Sequence, residues 1–396
     1  MTRSYYTTPL FVITALFALF IVVKNHNIQK EIFFIQERSL ASVLNVNQKQ
    51  VEKLHQQKNI QQGSNLPTPD AVRSIYISSW VASSPSIRAR LIDFVEDSEI
   101  NSVTIDIKDS TGVISYPVSH ATITQYYNAG SRVRDIEEFI DELHEKNIYV
   151  IGRLTAFQDP ALATKHPEFA FKRIDNGGVW TDRKGLAFIN PKNKEVWNYL
   201  RDIGIDAYNK GFDEINFDYI RYPSDGNISN INYELPEGKM RPEVLHEFYQ
   251  YLDDEFGKRN IPISADIFGL TTTATDDIGI GQIFEDFMPY FDAVAPMVYP
   301  SHYSRGFFGY DNPDAYPYEV IYASMNSAIE RVQAIGEDPQ KLRPWIQDFS
   351  LGINYGEEEV RAQIKATYDL GLDSYMVWDP KNRYTKEAYH NNIAEE

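Results

Sequence analysis

The segment Glu214–Ile220 has the sequence EINFDYI, in which apolar and polar side chains alternate. Alternation with a period of two predicts a β-strand whose two faces meet different surroundings. The apolar face, which includes Tyr219, is expected to pack outward. Asn216 and Asp218 then lie on the inward face, with Asp218 near the carboxyl end of the strand. A buried strand with polar residues on its inner face is typical of a closed barrel.

Seven further runs rich in β-branched or aromatic residues resemble this segment. The eight predicted strands are Ser74–Ser79, Ser102–Lys108, Ile148–Leu154, Glu214–Ile220, Ile263–Phe268, Ala293–Tyr299, Arg343–Asp348 and Ser374–Asp379. Between them lie six amphipathic helix patterns, Ile87–Glu96, Val133–Lys146, Lys194–Asn209, Pro242–Arg259, Tyr318–Ile335 and Glu357–Leu370. Repeated strand–helix alternation predicts an α/β fold, a (β/α)8 TIM barrel.

The lengths of the connections support the barrel. The links that follow strands are long, as between Leu154 and Lys194, whereas those that precede strands are short, as in Lys146-Asn147-Ile148. TIM-barrel enzymes build their sites from the loops that follow the strands, so long loops are expected on the C-terminal face. A doubly wound sheet is the main rival fold, but no Gly-rich phosphate-binding loop follows any predicted strand.

The composition excludes several classes of function. The 396 residues include 38 Lys and Arg against 56 Asp and Glu, a net charge of −18. Nucleic-acid binding needs a basic surface, so no nucleic acid partner is expected. The absence of Cys excludes disulfides, thiolate metal sites and a Cys nucleophile. No close His pair or acidic metal loop occurs either, so we expect no metal and no cofactor.

The N-terminal region differs from the rest of the chain. Residues 5–23 carry no charge and are flanked by Arg3 and Lys24, which predicts a single transmembrane helix. An uncleaved signal anchor over residues 1–24 is favoured over a cleaved signal peptide, because no small-residue cleavage pattern follows. This predicts a single-pass protein of the cell membrane with an extracytoplasmic catalytic domain.

Residues 25–70 are rich in Gln, Asn and Lys and end in the Gly- and Pro-containing stretch 63–69. Loosely spaced apolar positions indicate a partly helical stalk or linker, and a plain polar spacer is an equal alternative. The barrel domain is then predicted to span residues 71–396.

Polar inward residues collect at the carboxyl ends of several predicted strands. They include Asp106, Lys108, Arg153, Asp218 and Asp266. Polar groups in such positions are costly unless paired or solvated, which marks them as candidates for a site. A structural ion pair, such as Asp218 with Arg153 or Arg221, is the alternative interpretation for each of them. Trp80, Trp180, Tyr299 and Trp378 are candidates for stacking on sugars, or are core residues.

Five stretches of sequence match a known family. They are Thr104–Asp109 (TIDIKD), Phe217–Asp225 (FDYIRYPSD), Ser264–Leu270 (SADIFGL), Pro296–Tyr303 (PMVYPSHY) and Trp345–Phe349 (WIQDF). In these stretches the chain resembles the bacterial putative glycosyl hydrolase domain family, over residues 72–390. The resemblance implies a barrel that hydrolyses O-glycosyl bonds of a polysaccharide or oligosaccharide.

A more distant similarity fails at its decisive position. Residues 211–220 align with the signature of the family 18 chitinases, in which three spaced Asp residues lead to a catalytic Glu. Asp213 and Asp218 match, but Asn216 replaces the middle Asp and Ile220 replaces the Glu. Because Ile cannot donate a proton, an acid has to come from another strand.

Asp218 and Asp266 are therefore the predicted catalytic pair of a glycoside hydrolase. One carboxyl group would protonate the leaving oxygen while the other attacks the sugar or activates water. The predicted substrate-binding residues are Asp106, Lys108, Arg153, Arg221, Tyr299, His302, Asp348 and Trp378. Two alternatives remain: a non-catalytic carbohydrate-binding or cell-envelope structural protein, and a barrel lyase or isomerase that uses Lys108, Asp106 and Arg153.

Overall fold

The computed structural model describes residues 65–126 and 130–390. Eight parallel strands close into a barrel, which confirms the predicted (β/α)8 TIM-barrel architecture. In spatial order they are β1 (Arg73–Ile77), β2 (Ser102–Lys108), β3 (Tyr149–Thr155), β5 (Glu214–Asp218), β7 (Ile263–Phe268), β8 (Ala293–Met297), β9 (Trp345–Gln347) and β10 (Tyr375–Trp378). A separate two-stranded antiparallel sheet pairs β4 (Lys172–Arg173) with β6 (Ile231–Asn232).

The described residues also form a set of helices around the barrel. They are α1 (Ser79–Ala82), α2 (Pro85–Glu96), α3 (Ala121–Thr124), α4 (Ile136–His144), α5 (Pro160–Lys165), α6 (Lys194–Asn209), α7 (Arg241–Gly257), α8 (Pro317–Ala334) and α9 (Glu357–Asp369). The six helix patterns in the sequence correspond to α2, α4, α6, α7, α8 and α9.

Two outer helices of an ideal barrel are replaced by 3-10 turns. Gly269–Thr272 and Phe284–Asp286 follow β7, and Lys386–Tyr389 follows β10. After β7 the chain contains Gly279 and Gly281, both with positive φ, so no amphipathic run is long enough for a helix.

The predicted anchor over residues 1–24 and most of the predicted stalk lie outside the described residues. Among the helices of residues 65–126 and 130–390, none combines the length and apolar character needed to cross a membrane.

The main hydrophobic core lies between the barrel and its helices. Each strand contributes its outward apolar face, and a helix such as α4 contributes Ile136, Phe139, Ile140 and Leu143, all buried. A second apolar cluster fills the barrel interior around Ile151, which is fully buried. The alternation seen in the sequence thus separates two cores, one on each side of the barrel wall.

Short turns close the end of the barrel opposite the long loops, which we call the floor. Gly211 in the turn before β5 has a φ of 107° and lies against Ile140, where a side chain would clash. Residues 65–70, which the sequence placed in the linker, contact this floor. Asn65 Nδ2 donates to the carbonyl oxygen of Phe212 at 2.8 Å, and Thr68 Oγ1 lies 3.0 Å from Tyr149 Oη.

A line of buried polar groups runs through the barrel from the floor to the opposite end. Arg343 Nη1 donates to Glu214 Oε2 at 2.8 Å, and Ser264 Oγ donates to Glu214 Oε1 at 2.5 Å. Asn216 Nδ2 then donates to Ser264 Oγ at 3.1 Å and to Asp266 Oδ1 at 3.0 Å. We call these five residues the polar spine.

Candidate active site

A cavity of about 490 Å³ opens among the loops at the carboxyl ends of the strands. We call it the mouth cavity. The predicted residues that line it are Arg153, Asp218, Arg221, Asp266, Tyr299, His302 and Trp378. Five further residues on its wall are aromatic: Tyr219, Phe268, Tyr303, Phe307 and Trp345. A concave, largely apolar cavity with a few convergent polar groups is the usual form of a ligand site.

Arg153 at the end of β3 connects the carboxylates of three strands. Its Nη1 donates to Asp106 Oδ1 at 2.8 Å, and its Nε donates to Asp218 Oδ2 at 3.1 Å. The same Nε lies 3.8 Å from Asp266 Oδ2. Because the Oδ2 atoms of Asp218 and Asp266 share this neighbour, they lie at most about 7 Å apart, an upper limit that is compatible with the separations of glycosidase carboxylate pairs.

Asp218 accepts hydrogen bonds from a cationic side chain and from a backbone N–H group. Besides Arg153, the backbone N–H of Tyr219 donates to Asp218 Oδ1 at 2.6 Å. Tyr219 has a φ of 54°, an unusual backbone conformation for a bulky residue. The turn immediately after β5 therefore aims an N–H group at this carboxylate, and charge-assisted hydrogen bonds of this kind stabilise the anion.

The environment of Asp266 favours its protonated form. The side chain is buried, and burial together with the negative charge of Asp218 raises the pKa of Asp266 to about 8. Trp345 Nε1 donates to Asp266 Oδ1 at 2.7 Å and Asn216 Nδ2 donates to the same oxygen at 3.0 Å. Its Oδ2 is free of these donors and lies on the side of Arg153 and Asp218.

Asp106 lies behind Arg153 rather than on the cavity wall. Tyr76 Oη donates to Asp106 Oδ2 at 2.6 Å, and burial raises the pKa of Asp106 while Arg153 opposes the shift. The ring of Tyr76 stacks on Trp378 with centroids 3.9 Å apart. One face of Trp378 is thus covered, and the residue belongs to the cavity wall.

Lys108 does not reach the mouth cavity. The pairing of β2 with β3 is irregular between Asp106 and Lys108, and this changes the direction of the Lys108 side chain. Its Nζ forms a buried ion pair with Asp159 Oδ2 at 2.6 Å. The prediction that Lys108 contacts substrate is therefore wrong, because alternation does not continue through a bulge. The alternative of a lyase or isomerase that uses Lys108, Asp106 and Arg153 thereby loses Lys108, whereas Arg153 lines the cavity.

Asp348 also lies away from the cavity. Its carboxylate accepts hydrogen bonds from Thr385 N and Thr385 Oγ1, both at 2.7 Å, and from Tyr389 Oη at 2.8 Å. It fastens the chain after β10 against the end of β9. The prediction that Asp348 binds substrate is wrong, since Asp348 follows Gln347 and faces outward.

Two tryptophans proposed as stacking residues do not line the cavity. Trp180 is fully buried, and its Nε1 donates to the carbonyl oxygen of Asn227 at 2.9 Å. Trp80 is exposed on the surface beneath Arg132, whose guanidinium carbon lies 4.5 Å from the ring centroid.

Several residues of the site were not predicted. Strand alternation could have identified Trp345, the donor to Asp266, because it shares the inward face of β9 with Gln347. Tyr219 lines the cavity although its strand position predicted an outward side chain, because the left-handed backbone turns it. Nothing in the sequence pattern marks that turn. Within the described residues, no group of three or more His, Asp or Glu side chains is placed to hold a metal ion.

The sequence matches the model of a family described as "putative glycosyl hydrolase domain" over residues 74–384. The chain belongs to this family. Its domain is thereby of the glycosyl-hydrolase type, as the five motifs indicated. None of the curated proteins matches the chain in sequence.

Solved structures include similar chains. The crystal structure of a hypothetical protein from Ruminiclostridium thermocellum ATCC 27405 is 34% identical, with a TM-score of 0.44, and the match covers 48% of this chain and 96% of that one. The PgaB (BpsB) glycoside hydrolase domain from Bordetella bronchiseptica is 13% identical, with a TM-score of 0.59, and the match covers 81% of this chain and 99% of that one. The second similarity is one of fold.

Proposed function

We propose that the domain is a glycoside hydrolase in which Asp266 is the general acid and Asp218 is the base or nucleophile. The observation that carries this proposal is the opposite environment of two neighbouring carboxyl groups. Asp218 contacts Arg153 and an N–H group, whereas burial and Asp218 itself hold the pKa of Asp266 at about 8. Paired carboxyl groups with separated pKa values are how glycosidases assign acid and base.

The reaction follows from this arrangement. Asp266 donates its proton to the departing glycosidic oxygen, and Asp218 attacks the anomeric carbon or removes a proton from water. Arg153 holds Asp218 and Asp106 in place, and Tyr299, His302 and Trp378 form the wall against which the sugar lies. If Asp218 is a nucleophile, Asp266 regains its proton from the water that hydrolyses the glycosyl–Asp218 ester. If Asp218 is a base, it releases the proton of the attacking water to solvent and Asp266 takes one up from solvent.

Two isosteric substitutions test these roles. Asp218→Asn and Asp266→Asn each keep the shape of the site, and each is expected to lower kcat on a responsive glycan by about 10²–10⁴-fold. The configuration of the first-formed product, read by NMR, assigns Asp218: retention indicates a nucleophile and inversion a base. Unchanged turnover in either variant would disprove the assignment.

A non-catalytic, carbohydrate-binding domain is the second candidate. Two observations favour it: Ile220 replaces the catalytic Glu of the family 18 signature and is fully buried, and Arg153 ion-pairs with Asp218. In that case calorimetry detects glycan binding, but no product forms after long incubation. Unchanged glycan affinity in the Asp218→Asn variant does not by itself support this second candidate. The unsubstituted protein must also form no product from the glycan that it binds.

We further propose that residues 5–23 anchor the protein in the cell membrane and that the barrel is extracytoplasmic. The uncharged stretch between Arg3 and Lys24 supports this, as does the absence of Cys in the chain. Added protease should digest the barrel of intact cells that retain their cytoplasmic marker proteins. Protection of the barrel until the cells are lysed would contradict the proposal.

A further inference from the structure

Arg221 presents an unused half of its guanidinium group to the mouth cavity. The residue is 7% exposed and lines the cavity. Its Nη1 donates to the carbonyl oxygen of Tyr222 at 3.0 Å and to Ser224 Oγ at 3.2 Å. Within residues 65–126 and 130–390, neither its Nε nor its Nη2 has a hydrogen-bond partner. That edge of the group carries two parallel N–H vectors.

The charge of Arg221 is not neutralised by a carboxylate in contact. Asp218, Asp225 and Asp182 attract it from a distance, but among the described residues none forms an ion pair with it. Burial is the largest influence and lowers the pKa of Arg221. Arg153, by contrast, has ion pairs with Asp106 and Asp218. A buried cation without a partner is costly, which marks the place where a ligand anion would be stabilised.

The guanidinium plane of Arg221 is fixed by aromatic rings. Its central carbon lies 4.8 Å from the ring centroid of Tyr219 and 4.7 Å from that of Phe268. Both rings line the same cavity. Contacts of this kind restrict the orientation of the guanidinium plane.

Arg331 shows what such an edge binds. Its Nη1 donates to backbone carbonyl oxygens of Thr271 and Ala274, as the Nη1 of Arg221 does to that of Tyr222. The Nε and Nη2 atoms of Arg331 both donate to the carboxylate of Glu285 at 2.6 Å. Arg221 has the same arrangement on its Nη1 side, but among the described residues no carboxylate pairs with its Nε and Nη2 edge, and the residue lines the cavity.

We propose that Arg221 binds the carboxylate of an acidic sugar, so that the substrate of the site is a glycan containing uronic acid. This inference rests on the proposed function, because it places the acidic sugar in the cavity that holds Asp218 and Asp266. The bond is bidentate, from Nε and Nη2 to the two carboxylate oxygens. One fixed carboxylate sets the orientation of the ring relative to the catalytic pair.

The test compares acidic glycans with the same glycans after chemical reduction of their carboxyl groups. The probes are oligomers of galacturonate, of mannuronate and of alternating glucuronate and N-acetylglucosamine. Binding to the Asp266→Asn protein, whose turnover is expected to be about 10²–10⁴-fold slower, is measured by calorimetry at an ionic strength of about 0.15 M, where the Debye length is about 8 Å and the net charge is screened. At least one acidic oligomer is expected to bind tenfold more tightly than its reduced form.

Substitutions then assign the preference to Arg221. Arg221→Gln is expected to bind the acidic and the reduced oligomer with equal affinity. Arg221→Lys, which keeps the charge without the planar edge, is expected to retain part of the preference for the acidic form. Arg173→Gln is the matched control: Arg173 pairs with Asp175 on the surface, so this change removes one positive charge but leaves the preference intact. Melting curves establish that each variant is folded.

Three results would overturn the inference. The first is equal affinity for the acidic and the reduced form of every oligomer in the unsubstituted protein. The second is a preference for the acidic form that survives in Arg221→Gln. The third is a loss of that preference in Arg173→Gln as large as the loss in Arg221→Gln. If Arg221→Gln does not fold, the inference is tested by the affinity preference of the unsubstituted protein and by its reduction in Arg221→Lys. Hydrolysis is scored separately, since turnover of a neutral glycan without acidic preference retains the hydrolase and rejects only the acidic substrate.

Discussion

At the scale of single residues, the molecule places two carboxyl groups of the same kind in different environments. Asp218 and Asp266 share Arg153, yet only Asp266 receives its two main hydrogen bonds from neutral side chains, Trp345 and Asn216. A carboxyl group that is buried and lies next to an anion retains its proton near neutral pH. That difference of environment has measurable consequences.

The pH dependence of kcat/KM should reflect Asp266. Because the general acid must be protonated, activity is expected to fall as the pH rises past about 8, the pKa of Asp266. A pH–rate profile on a responsive glycan measures this alkaline limb. A rate that stays constant well above pH 8 would show that another group donates the proton.

Asp266 should also cost the protein stability at high pH. Its pKa is about 8 in the folded state and about 3.9 in the unfolded state, so the folded state holds the proton more tightly. The free energy of unfolding therefore falls as the pH rises from about 4 to about 8. Asp266→Asn is expected to remove this decline and to melt at a higher temperature than the unsubstituted protein at pH 8. Melting curves that keep the same offset at pH 4 and pH 8 would contradict this.

Lys108 should affect folding rather than substrate binding. Lys108→Met leaves Asp159 buried without its cation, a change expected to cost about 3–5 kcal/mol of unfolding free energy. Denaturant titration measures the loss. Lys108→Met combined with Asp159→Asn should recover part of it, since no charge then remains buried. A changed KM with unaltered stability would instead return Lys108 to the site.

At the scale of elements, the 3-10 turn after β7 approaches the neighbouring strand closely. A Cβ atom on Gly269 would lie 2.3 Å from the carbonyl oxygen of Met297 and 2.8 Å from Tyr303 Oη. Both Gly269 and Tyr303 belong to the cavity wall. This turn can therefore shape the cavity only because no side chain separates it from β8.

Gly269→Ala is expected to displace the turn, lowering the unfolding free energy by about 1–3 kcal/mol and reducing activity. Gly257→Ala is the matched control. Gly257 ends α7, and its nearest neighbour to an added Cβ, Asp253 Oδ1, is 3.8 Å away. This control should be neutral or slightly stabilising, because Ala favours helices. Thermal melting and turnover are measured for both variants. Equal melting temperatures and equal turnover would contradict the predicted role of Gly269.

The elements that sequence predicts well are those set by a repeating pattern. Eight strands and six helices follow from alternation and amphipathicity, and with them the inward positions of Asp218, Asp266 and Arg153. Prediction fails where one residue breaks the pattern. The bulge in β2 turns Lys108 away, and the left-handed backbone of Tyr219 brings that ring into the cavity. Both depend on tertiary packing, which local periodicity does not encode.

At the scale of the whole molecule, the floor and the mouth of the barrel have different tasks. The floor holds the buried pair Arg343–Glu214 and the segment 65–70, whereas the mouth holds the cavity. The backbone N–H of Leu66 donates to Asp213 Oδ1 at 2.5 Å, and its side chain packs against the interior cluster. This segment is therefore part of the folded barrel.

A chain that begins at residue 71 should be less stable than one that begins at residue 65. It loses the hydrogen bonds of Asn65 and Leu66 at the floor and leaves buried Asp213 with fewer donors. Each unsatisfied buried group costs about 1–3 kcal/mol. Denaturant midpoints of the two chains test this. Equal midpoints would assign residues 65–70 to the linker.

The polar spine limits how the protein can be engineered. Apolar substitutions in a core raise heat resistance where they fill a gap without overpacking. Here Ser264 and Asn216 occupy the barrel interior and connect Glu214 to Asp266. An apolar replacement at either position would remove a donor from the acid or from the buried anion at the floor. Thermostable variants are therefore better sought on the outer helices, where sequence can drift without changing the chemistry.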